Sequence, residues 1–429
     1  MENIKISIVS ENKEWVENLS RAISALKPKW LINKYSTIQN AQESAVSIHA
    51  IVVDSDLPKN EITNLFLFLQ TNSPATAKFL WIDVNNRNLI KELVTDFNGI
   101  PPQCIWKQQS ESIISEAIFR TVFFENWLTT KQIRKVLVQM RDIPTIPFVY
   151  LKLMSLIDDP CSSAEDIAAT VAEDPSLCAK MLKLANSAII GLREPVSSPF
   201  EAVMQLGVER IKALTISSNF VSQFDNQKVP WFSIDRFWNH SIMTASFSRW
   251  IAMAKTKDVK LADSSFTAGL LHDVGILLIA ANIPQAFNDC LSSSIANNIP
   301  LWQAEKSLLG FNHAEIAACL LSSWGLPLAI LEAIAAHHNP GIAFSTTFSP
   351  LTAVHIANQF SNENQNYPNL CGDLKIDKDY LTKMNCLAYL DEWKKMCVSP
   401  QLNTKDQKPD SPQEPIQNLK MKSQNDVTI

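Results

Sequence analysis

The sequence predicts two different domains in tandem, a doubly wound α/β domain followed by an all-helical one. The first 120 residues alternate short apolar runs with amphipathic segments, which is typical of a parallel sheet covered by helices. Beyond Asp142, helix-capping patterns and helical spacing of apolar residues dominate. The chain has 429 residues, 46% of them hydrophobic and only 9 of them glycine. This composition suits a helix-rich protein with more than one hydrophobic core.

The α/β prediction rests on strands and helices that alternate along the chain. β-Branched or continuous apolar runs predict strands, whereas apolar residues on one face of a segment predict helices. The predicted strands are residues 4–9, 50–53, 79–84 and 104–106, and the predicted helices between them are residues 15–26 and 62–69. Reactive groups in such sheets cluster at the carboxyl ends of the strands, so side chains directly after strands are the first candidates for a site.

Two charged side chains occupy such positions. Asp54 follows the apolar residues 51–53, and Lys107 follows the predicted last strand. With this arrangement the segment over residues 1–122 resembles a response-regulator receiver domain. The resemblance implies a flavodoxin-like fold, phosphorylation of Asp54 in a phosphorelay, and contact of Lys107 with the phosphoryl group.

The segment departs from the receiver pattern where magnesium would bind. Receivers carry an acidic pair after the first strand, and here Ser10 and Glu11 stand there, so Glu11 is the single acid. A small, hard cation needs concentrated oxygen charge, and we expect magnesium to bind weakly. Asp83 stands where receivers carry Thr or Ser. Both a working phosphoacceptor at Asp54 and a degenerate receiver kept for docking or dimerisation are therefore open.

Helical signals dominate the rest of the chain. Residues 123–141 predict a helical connector, and residues 341–398 predict a helical extension with a polar break at 362–367. The polar segment 399–429 is predicted to be a disordered tail. Between connector and extension, three patterns predict helix starts, namely Ser162 with Glu165, Asp174-Pro175, and Ser198-Pro199-Phe200-Glu201.

Six of the seven histidines fall between His240 and His355. Five of them form an ordered set with one carboxylate and one late amide. Neutral imidazoles with a carboxylate suit a divalent transition metal such as manganese, iron or zinc. Such an ion polarises a phosphoryl oxygen and activates a bound water. The candidate ligands are His240, His272, Asp273, His313, His337, His338 and Asn358, with His272 and Asp273 as the catalytic candidates if the site is active.

Structural roles compete with this interpretation at each position. His337 and His338 could end a helix favourably through its dipole, and His313 could begin a helix beside Glu315. His355 and His49 are expected to be ordinary core or surface histidines. Apolar residues on both sides of His272-Asp273 predict one buried helix that runs through this pair, from Leu270 and Leu271 to Val274, Leu277 and Leu278.

Residues 142–340 carry a second and more specific set of motifs, and with them they resemble an HDOD domain. The motifs are Ile143-Pro144-Thr145-Ile146-Pro147, Glu173-Asp174-Pro175, Ala185-Asn186-Ser187, Leu206-Gly207, Phe237-Trp238-Asn239-His240, Gly269-Leu270-Leu271-His272-Asp273-Val274-Gly275, His313-Ala314-Glu315, Trp324-Gly325-Leu326-Pro327 and His337-His338. The resemblance implies an all-helical fold related to HD phosphohydrolases. It also implies a role in bacterial signalling, where such domains are often joined to receivers and generally act through protein interaction.

Two departures from the hydrolase pattern bear on activity. Asn358 stands where HD hydrolases supply a metal-binding Asp, and Ile276 stands where the related cyclic-dinucleotide phosphodiesterases have Lys. We therefore expect a bacterial signal-transduction regulator in which a receiver-like input acts on a non-catalytic HDOD output. The alternatives are a metal-dependent phosphohydrolase or phosphodiesterase acting on a nucleotide signal, and a sensor that binds a nucleotide without cleaving it.

Composition narrows the expected partners and location. The net charge of -5 argues against broad, charge-driven binding to nucleic acid or to an anionic membrane. The start lacks the pattern of a secretory signal, and the eight scattered cysteines suit reduced thiols, so a cytoplasmic location is expected. We expect protein partners such as a kinase or a downstream regulator, with a nucleotide second messenger and a homodimer left open.

Overall fold

The computed structural model describes the chain in segments. It covers residues 4–43, 48–73, 76–83, 103–128, 133, 136–137, 140, 144, 147–157, 162–187, 189–190, 195–224, 229, 232–324, 326–343, 345–365 and 375–398. The predicted tail over 399–429 and part of the predicted connector over 123–141 lie outside the described residues. The chain divides into two compact units, Met1–Val138 with Cys319–Leu328 and Gln139–Ala318 with Ala329–Ile429.

The first unit contains a parallel β-sheet. The described strands pair in the order β2-β1-β3-β4-β5, and they are β1 (Lys5–Val9), β2 (Leu31–Tyr35), β3 (Ala50–Asp54), β4 (Ala77–Ile82) and β5 (Gln103–Trp106). In this doubly wound order the chain leaves β1 first to one side and then to the other, which opens a crevice at the carboxyl ends of β1 and β3. The parallel sheet of this unit is compatible with the predicted α/β fold class.

Helices cover both faces of the sheet, and they are α1 (Lys13–Leu26), α2 (Ile38–Glu43), α3 (Lys59–Asn72) and α4 (Glu111–Leu128). Apolar residues of α1 and α4 pack with Ile8 and Val52 in one buried cluster. Those of α2 and α3 pack with Val9 and Val53 in another. Neighbouring strand residues thus enter opposite clusters, as the two-residue period of a strand requires.

Strand β2 is absent from the sequence predictions. It lies at the edge of the sheet and is only partly buried, so its sequence LINKY lacks the continuous apolar run by which the inner strands are recognised. The strand predicted over 79–84 runs instead over Ala77–Ile82. Asp83 follows it, and residue 84 lies outside the part of the chain that the structure describes.

The second unit is helical in its described parts. Its helices are α5 (Phe148–Ile157), α6 (Ala164–Ala172), α7 (Pro175–Ala185), α8 (Pro199–Leu206), α9 (Val208–Gln223), α10 (Ile234–Thr256), α11 (Val259–Leu271), α12 (Val274–Asn282), α13 (Pro284–Asn297), α14 (Leu301–Leu309), α15 (His313–Ser323, whose last residues belong to the first unit), α16 (Leu328–Ala336), α17 (Pro350–Gln365), α18 (Lys378–Lys383) and α19 (Leu390–Val398). Two short 3-10 turns, Pro340–Ile342 and Leu387–Tyr389, separate the last of them.

The helix starts follow the predicted capping chemistry with one change. Asp174 accepts hydrogen bonds from the backbone at the start of α7, and Ser198 forms a capping box with Glu201 at the start of α8. The box at α6 was predicted one residue too early. It joins Ser163 to Asp166, because the Ser163 hydroxyl is the one that reaches the third backbone N–H of the helix.

Two further predictions are corrected. The helix expected to run through His272 and Asp273 is broken there, since α11 ends at Leu271 and α12 begins at Val274. The polar break expected over 362–367 does not end α17, which continues to Gln365; residues 366–367 lie outside the described part. Polar residues on one face of a helix are compatible with its continuation when the other face stays buried.

Helices α10, α11 and α17 form the frame of the site. α10 packs against α11 and α17, and α11 packs against α17. A helical stretch over Val259–Asn282 is long and apolar enough to cross a membrane, since 18 consecutive residues of it have a mean hydropathy of 1.5, but 83% of those residues are buried inside the fold. A core helix of a soluble protein has the same properties, so this stretch gives no support for a membrane span.

Candidate functional site

The break between α11 and α12 places His272 and Asp273 at the centre of the helical unit. His272 follows the last residue of α11, and Asp273 precedes α12 with a φ of -107° and a ψ of 6°. An aspartate before a helix usually accepts hydrogen bonds from the first backbone N–H groups, but the Asp273 side chain makes no such bond. Its carboxylate is directed instead toward a group of histidines.

Two glycines allow other elements to approach this break closely. A Cβ atom at Gly269 would lie 2.8 Å from the Ala245 Cα atom, so α11 and α10 approach closely only because Gly269 has no side chain. A Cβ atom at Gly275 would lie 2.0 Å from the carbonyl oxygen of His313. The glycines therefore let α10 and the start of α15 reach the two sides of the break.

The Asp273 carboxylate divides the histidines into two groups. Its Oδ2 atom lies 3.1 Å from His272 Nε2 and 3.7 Å from His240 Nε2. Its Oδ1 atom lies 3.3 Å from His313 Nε2 and 3.5 Å from His337 Nε2. One carboxylate thus faces a histidine pair with each of its two oxygens.

Hydrogen bonds at the opposite ring nitrogens fix all four histidines in orientation, and His240 Nδ1 lies 3.0 Å from the Ser361 hydroxyl oxygen. His272 Nδ1 donates to the Gly269 carbonyl at 2.8 Å, and His337 Nδ1 donates to the Ile334 carbonyl at 2.7 Å. His313 Nδ1 bonds Glu305 at 2.7 Å. Since a proton on Nδ1 leaves the lone pair on Nε2, the nitrogen atoms that face Asp273 are those with ligand character.

The arrangement fits a divalent metal. Two atoms that each lie about 2.1 Å from one tetrahedral ion are about 3.4 Å apart, which matches the nitrogen-to-oxygen distances around Asp273. Asp273 Oδ1 and His337 Nε2 are buried and have no hydrogen-bond partner among the described residues. Such orphaned polar atoms are rare in folded proteins and require an explanation. The residues Asp273, His313, His337 and His338, and again His240, His272 and Asp273, bring ligand atoms within 4.8 Å of one another.

The protonation of the site also suits a metal. Burial lowers the pKa of His240 to about 3 and that of His337 to about 4, so both imidazoles are neutral at pH 7. Burial alone would favour protonated Asp273, but His272, His313 and His337 outweigh it and hold the pKa of that carboxyl well below its usual range. Neutral His240 and His337 beside an ionised Asp273 are in the states that bind a metal ion.

Glu305 completes the site and was missed by the sequence analysis. It lies on α14, has no exposed surface, and accepts hydrogen bonds from the backbone N–H of His313 at 2.8 Å and from its ring at 2.7 Å. Burial lowers the pKa of His313, but Glu305 and Asp273 together raise it to about 10. The available signal was the position of Glu305 on the apolar stripe of α14, next to Ala304 and four residues after Leu301.

The remaining predicted ligands border a cavity beside the histidines. The ring of His338 lies 3.8 Å from that of His337, and its Nε2 atom lies 2.8 Å from His313 Nε2. Asn358, on α17, is buried and contacts His240. A cavity of about 370 Å³ is lined by His337, His338 and Asn358 together with Trp302, Gln359 and Lys375. The structure thus brings all seven predicted ligand residues together next to a polar cavity.

His355 is a core histidine, one of the two roles that the sequence suggested for it. It is buried on α17, its Nδ1 donates to the carbonyl of His337 at 2.7 Å, and its Nε2 accepts the backbone N–H of Asp377 at 2.9 Å. It therefore connects the turn that carries His337 to the chain segment before α18.

The first unit contains a separate candidate site, formed by Asp54, Ser10 and Lys107 at the ends of its strands. Asp54 is the last residue of β3 and is buried. Its Oδ2 accepts the Ser10 hydroxyl at 2.6 Å, and its Oδ1 lies 2.8 Å from Lys107 Nζ and accepts the Asp56 backbone N–H at 3.1 Å. Glu11 is exposed. The side chains nearest to Asp54 thus satisfy both of its oxygens.

Lys107 is held in this cluster by several contacts. Besides Asp54, it pairs with Asp56 at 2.7 Å and lies over the ring of Trp81, 4.5 Å from its centre. Trp81 in turn stacks on Trp15 at 3.5 Å between ring centres. Burial lowers the pKa of Lys107, but the two aspartates outweigh it and raise the pKa, so Lys107 stays charged.

Comparisons with known proteins match the helical unit. Residues 143–340 match the HDOD domain family. An uncharacterized protein of Treponema pallidum (strain Nichols) is 28% identical over 214 residues, which is 49% of this chain and 40% of that protein. The chain therefore matches less than half of that relative's length.

One solved structure shows the same fold. An HDOD domain protein with unknown function from Geobacter sulfurreducens aligns with a TM-score of 0.52 at 20% identity, over 66% of this chain and 98% of that one. A candidate phosphohydrolase from Shewanella amazonensis SB2B aligns with a TM-score of 0.48 at 24% identity, over 65% and 96% of the two chains. Asn358 and Lys375 lie beyond the matched family segment. The predicted family of the helical domain is thus confirmed: residues 143–340 of this chain form an HDOD domain.

Proposed function

We propose that this chain is a bacterial signalling protein whose HDOD domain binds a divalent transition metal and works as a metal-dependent phosphohydrolase on a phosphorylated small molecule. The observation that carries the proposal is Asp273, whose two oxygens each face a pair of histidine Nε2 atoms. HD-type hydrolases use histidines and an aspartate of this kind to hydrolyse phosphate esters. A bound ion would supply Lewis acidity and an activated water.

Charge limits how many ions the site would hold. Asp273 lies between two ligand groups, and Glu305 adds a second buried carboxylate through His313. Each divalent ion adds two positive charges, and Asn358 contributes none on the His240 side. We therefore expect one ion to bind tightly and a second to bind weakly. Manganese, iron and zinc suit this mixed nitrogen and oxygen ligand set.

The residues around the ion would have separate tasks. His313 and His337 would hold it, since their Nε2 atoms lie on the side of Asp273 that faces the cavity residue His338. The cavity gives a phosphate ester access to this side, and its 370 Å³ suits a small molecule. Ile276, three residues after Asp273, is buried.

Metal content and turnover test this function together. The full chain is purified without chelator, incubated with manganese, iron or zinc, and analysed for bound metal beside His337→Ala, Asp273→Asn and the control His49→Ala from the first unit. We expect metal in the wild type and the control and its loss in the other two. Phosphate release from a panel of nucleotides and phosphate monoesters should depend on the same residues.

The outcomes separate the alternatives. Wild-type protein that stays free of metal after incubation would overturn the proposed centre. Bound metal without turnover on the panel would overturn hydrolysis. It would favour the regulator with a non-catalytic HDOD output that the departures at Asn358 and Ile276 indicate, or a sensor that binds a nucleotide without cleaving it.

A second proposed function concerns the first unit, the receiver-like input of the protein. We propose that residues 1–122 are a receiver-like module that signals without phosphorylation, because Ser10 and Lys107 already occupy both oxygens of Asp54. Acetyl phosphate should then label the wild type no more than Asp54→Asn. Labelling that requires Asp54 would instead restore the phosphoacceptor and its place in a phosphorelay. A partner kinase, a homodimer and a cytoplasmic location remain predictions.

A further inference from the structure

We infer that Lys375, held in place by His355, is the phosphate-contacting cation of the cavity beside the metal centre, and that the ligand is a phosphate monoester with a planar ring. The inference rests on the proposed function and adds a part of the chain that the HDOD match over residues 143–340 does not contain.

The charge of the cavity wall favours an anion. Among the described residues that line the cavity, Lys375 is the only one with a formal charge at neutral pH, and no carboxylate lines it. Lys375 is exposed, and no ion pair joins it to another described residue. The chain as a whole has a net charge of -5, so this positive wall is a local feature. A divalent ion held by His337, which lines the cavity, would make the wall more positive still.

The backbone near Lys375 is tied to the metal centre by one side chain. Asp377, two residues after Lys375, donates its N–H to His355 Nε2 at 2.9 Å. An acceptor on Nε2 places the proton on Nδ1, which donates to the His337 carbonyl at 2.7 Å. His355 thus fixes the distance between the segment of Lys375 and the turn of a proposed metal ligand.

The segment of Lys375 is also anchored from α18. The Asp377 side chain accepts the Tyr380 N–H at 2.8 Å, and the Tyr380 hydroxyl lies 2.8 Å from the Thr352 hydroxyl of α17. Tyr380 and His355 pack edge to face with 6.3 Å between ring centres. Because α17 also carries Asn358, one helix positions both the amide at the metal centre and the cation at the cavity wall.

The other lining groups define the class of ligand. Trp302 lies parallel to the His338 ring at 5.7 Å and lines the same cavity, where it offers a flat aromatic surface. Gln303 and Gln359 offer amide groups for hydrogen bonds to a ring edge. Volumes of about 300 to 1,000 Å³ hold small ligands, and 370 Å³ lies near the lower end. A nucleoside monophosphate combines the required phosphate, ring and size.

The test is a binding measurement on the manganese-loaded full chain. Adenosine 5′-monophosphate is titrated calorimetrically into the wild type, Lys375→Ala and the control Lys378→Ala, an exposed lysine that does not line the cavity. We expect Lys375→Ala to weaken binding about tenfold, as the loss of one charged hydrogen bond at an exposed site would. Lys378→Ala should bind like the wild type, adenosine should bind more weakly than its monophosphate, and metal content should be equal in all variants.

A double-mutant cycle tests the positioning role of His355. His355→Ala should weaken adenosine 5′-monophosphate binding, and in combination with Lys375→Ala it should add little further loss, because both changes remove the same contact. His355→Gln, whose amide oxygen can still accept the Asp377 N–H, should recover part of the affinity. Circular dichroism of each variant shows whether the fold is kept, and additive losses in folded variants would contradict the positioning role.

Failure of this inference is distinguishable from failure of the proposed function. Metal-loaded protein that binds the monophosphate equally well with and without Lys375, or that binds none of it, overturns the inference and leaves the metal centre standing. Protein that takes up no metal overturns both. A metal-loaded wild type whose affinity depends on Lys375 and not on Lys378 supports both.

Discussion

Glu305→Gln should weaken metal binding without unfolding the protein. Glu305 is fully buried, and one of its oxygens accepts both the backbone and the ring N–H of His313. Glutamine keeps the size and one acceptor oxygen but loses the charge that makes His313 a stronger ligand. Changes of this kind next to a metal-bound histidine typically cost about 10- to 100-fold in metal affinity, or about 1.4 to 2.7 kcal/mol.

The assay is competition with a chromophoric chelator for manganese or zinc at constant pH. Glu315→Gln is the matched control, since Glu315 is also on the α14–α15 corner but pairs with Lys306 and not with a histidine. In metal-free protein, the pKa of His313, held at about 10 in part by Glu305, should fall in Glu305→Gln. Folded Glu305→Gln protein with wild-type affinity would refute the reasoning, because Glu305 would then have no influence on His313 as a ligand.

Three further perturbations follow from the same geometry. Gly275→Ala should lower the free energy of unfolding by about 1 to 3 kcal/mol and weaken metal binding, because its Cβ would press on the His313 backbone. Gly341→Ala is the control, since its Cβ would have 3.6 Å of clearance. Equal denaturation curves for the two variants would contradict this prediction. Ser10→Ala should destabilise the first unit by about 1.5 to 3 kcal/mol, because it removes the hydrogen bond to Asp54. Urea denaturation measures this loss, and an unchanged midpoint would mean that the bond contributes nothing to stability. Manganese at 100 times its Kd should raise the free energy of unfolding of the helical unit by about 2.7 kcal/mol, and a chelator should reverse this increase. A melting temperature that changes with neither manganese nor chelator would contradict a metal site formed only in the folded state.

The inner strands and the helix starts were predictable because their signals are local. β1, β3 and β4 are buried on both faces, so each reads as an apolar run, and Asp54 and Lys107 could be placed directly after strands. The edge strand β2 was missed because half-burial removes that run. The break between Leu271 and Val274 was missed because apolar residues continue on both sides of it, and periodicity does not show a change of helix direction.

The order of the histidines determined what kind of site this protein could have. Residue type fixes the ligand chemistry, so a metal-ligand set was readable from His240 to Asn358 before any distance was known. The tertiary structure alone decided that Asp273 lies between two histidine groups, that Glu305 supports His313, and that His355 ties the segment of Lys375 to His337. These relations join residues on different helices, and only packing sets the distances between helices, whereas sequence spacing sets distances within one.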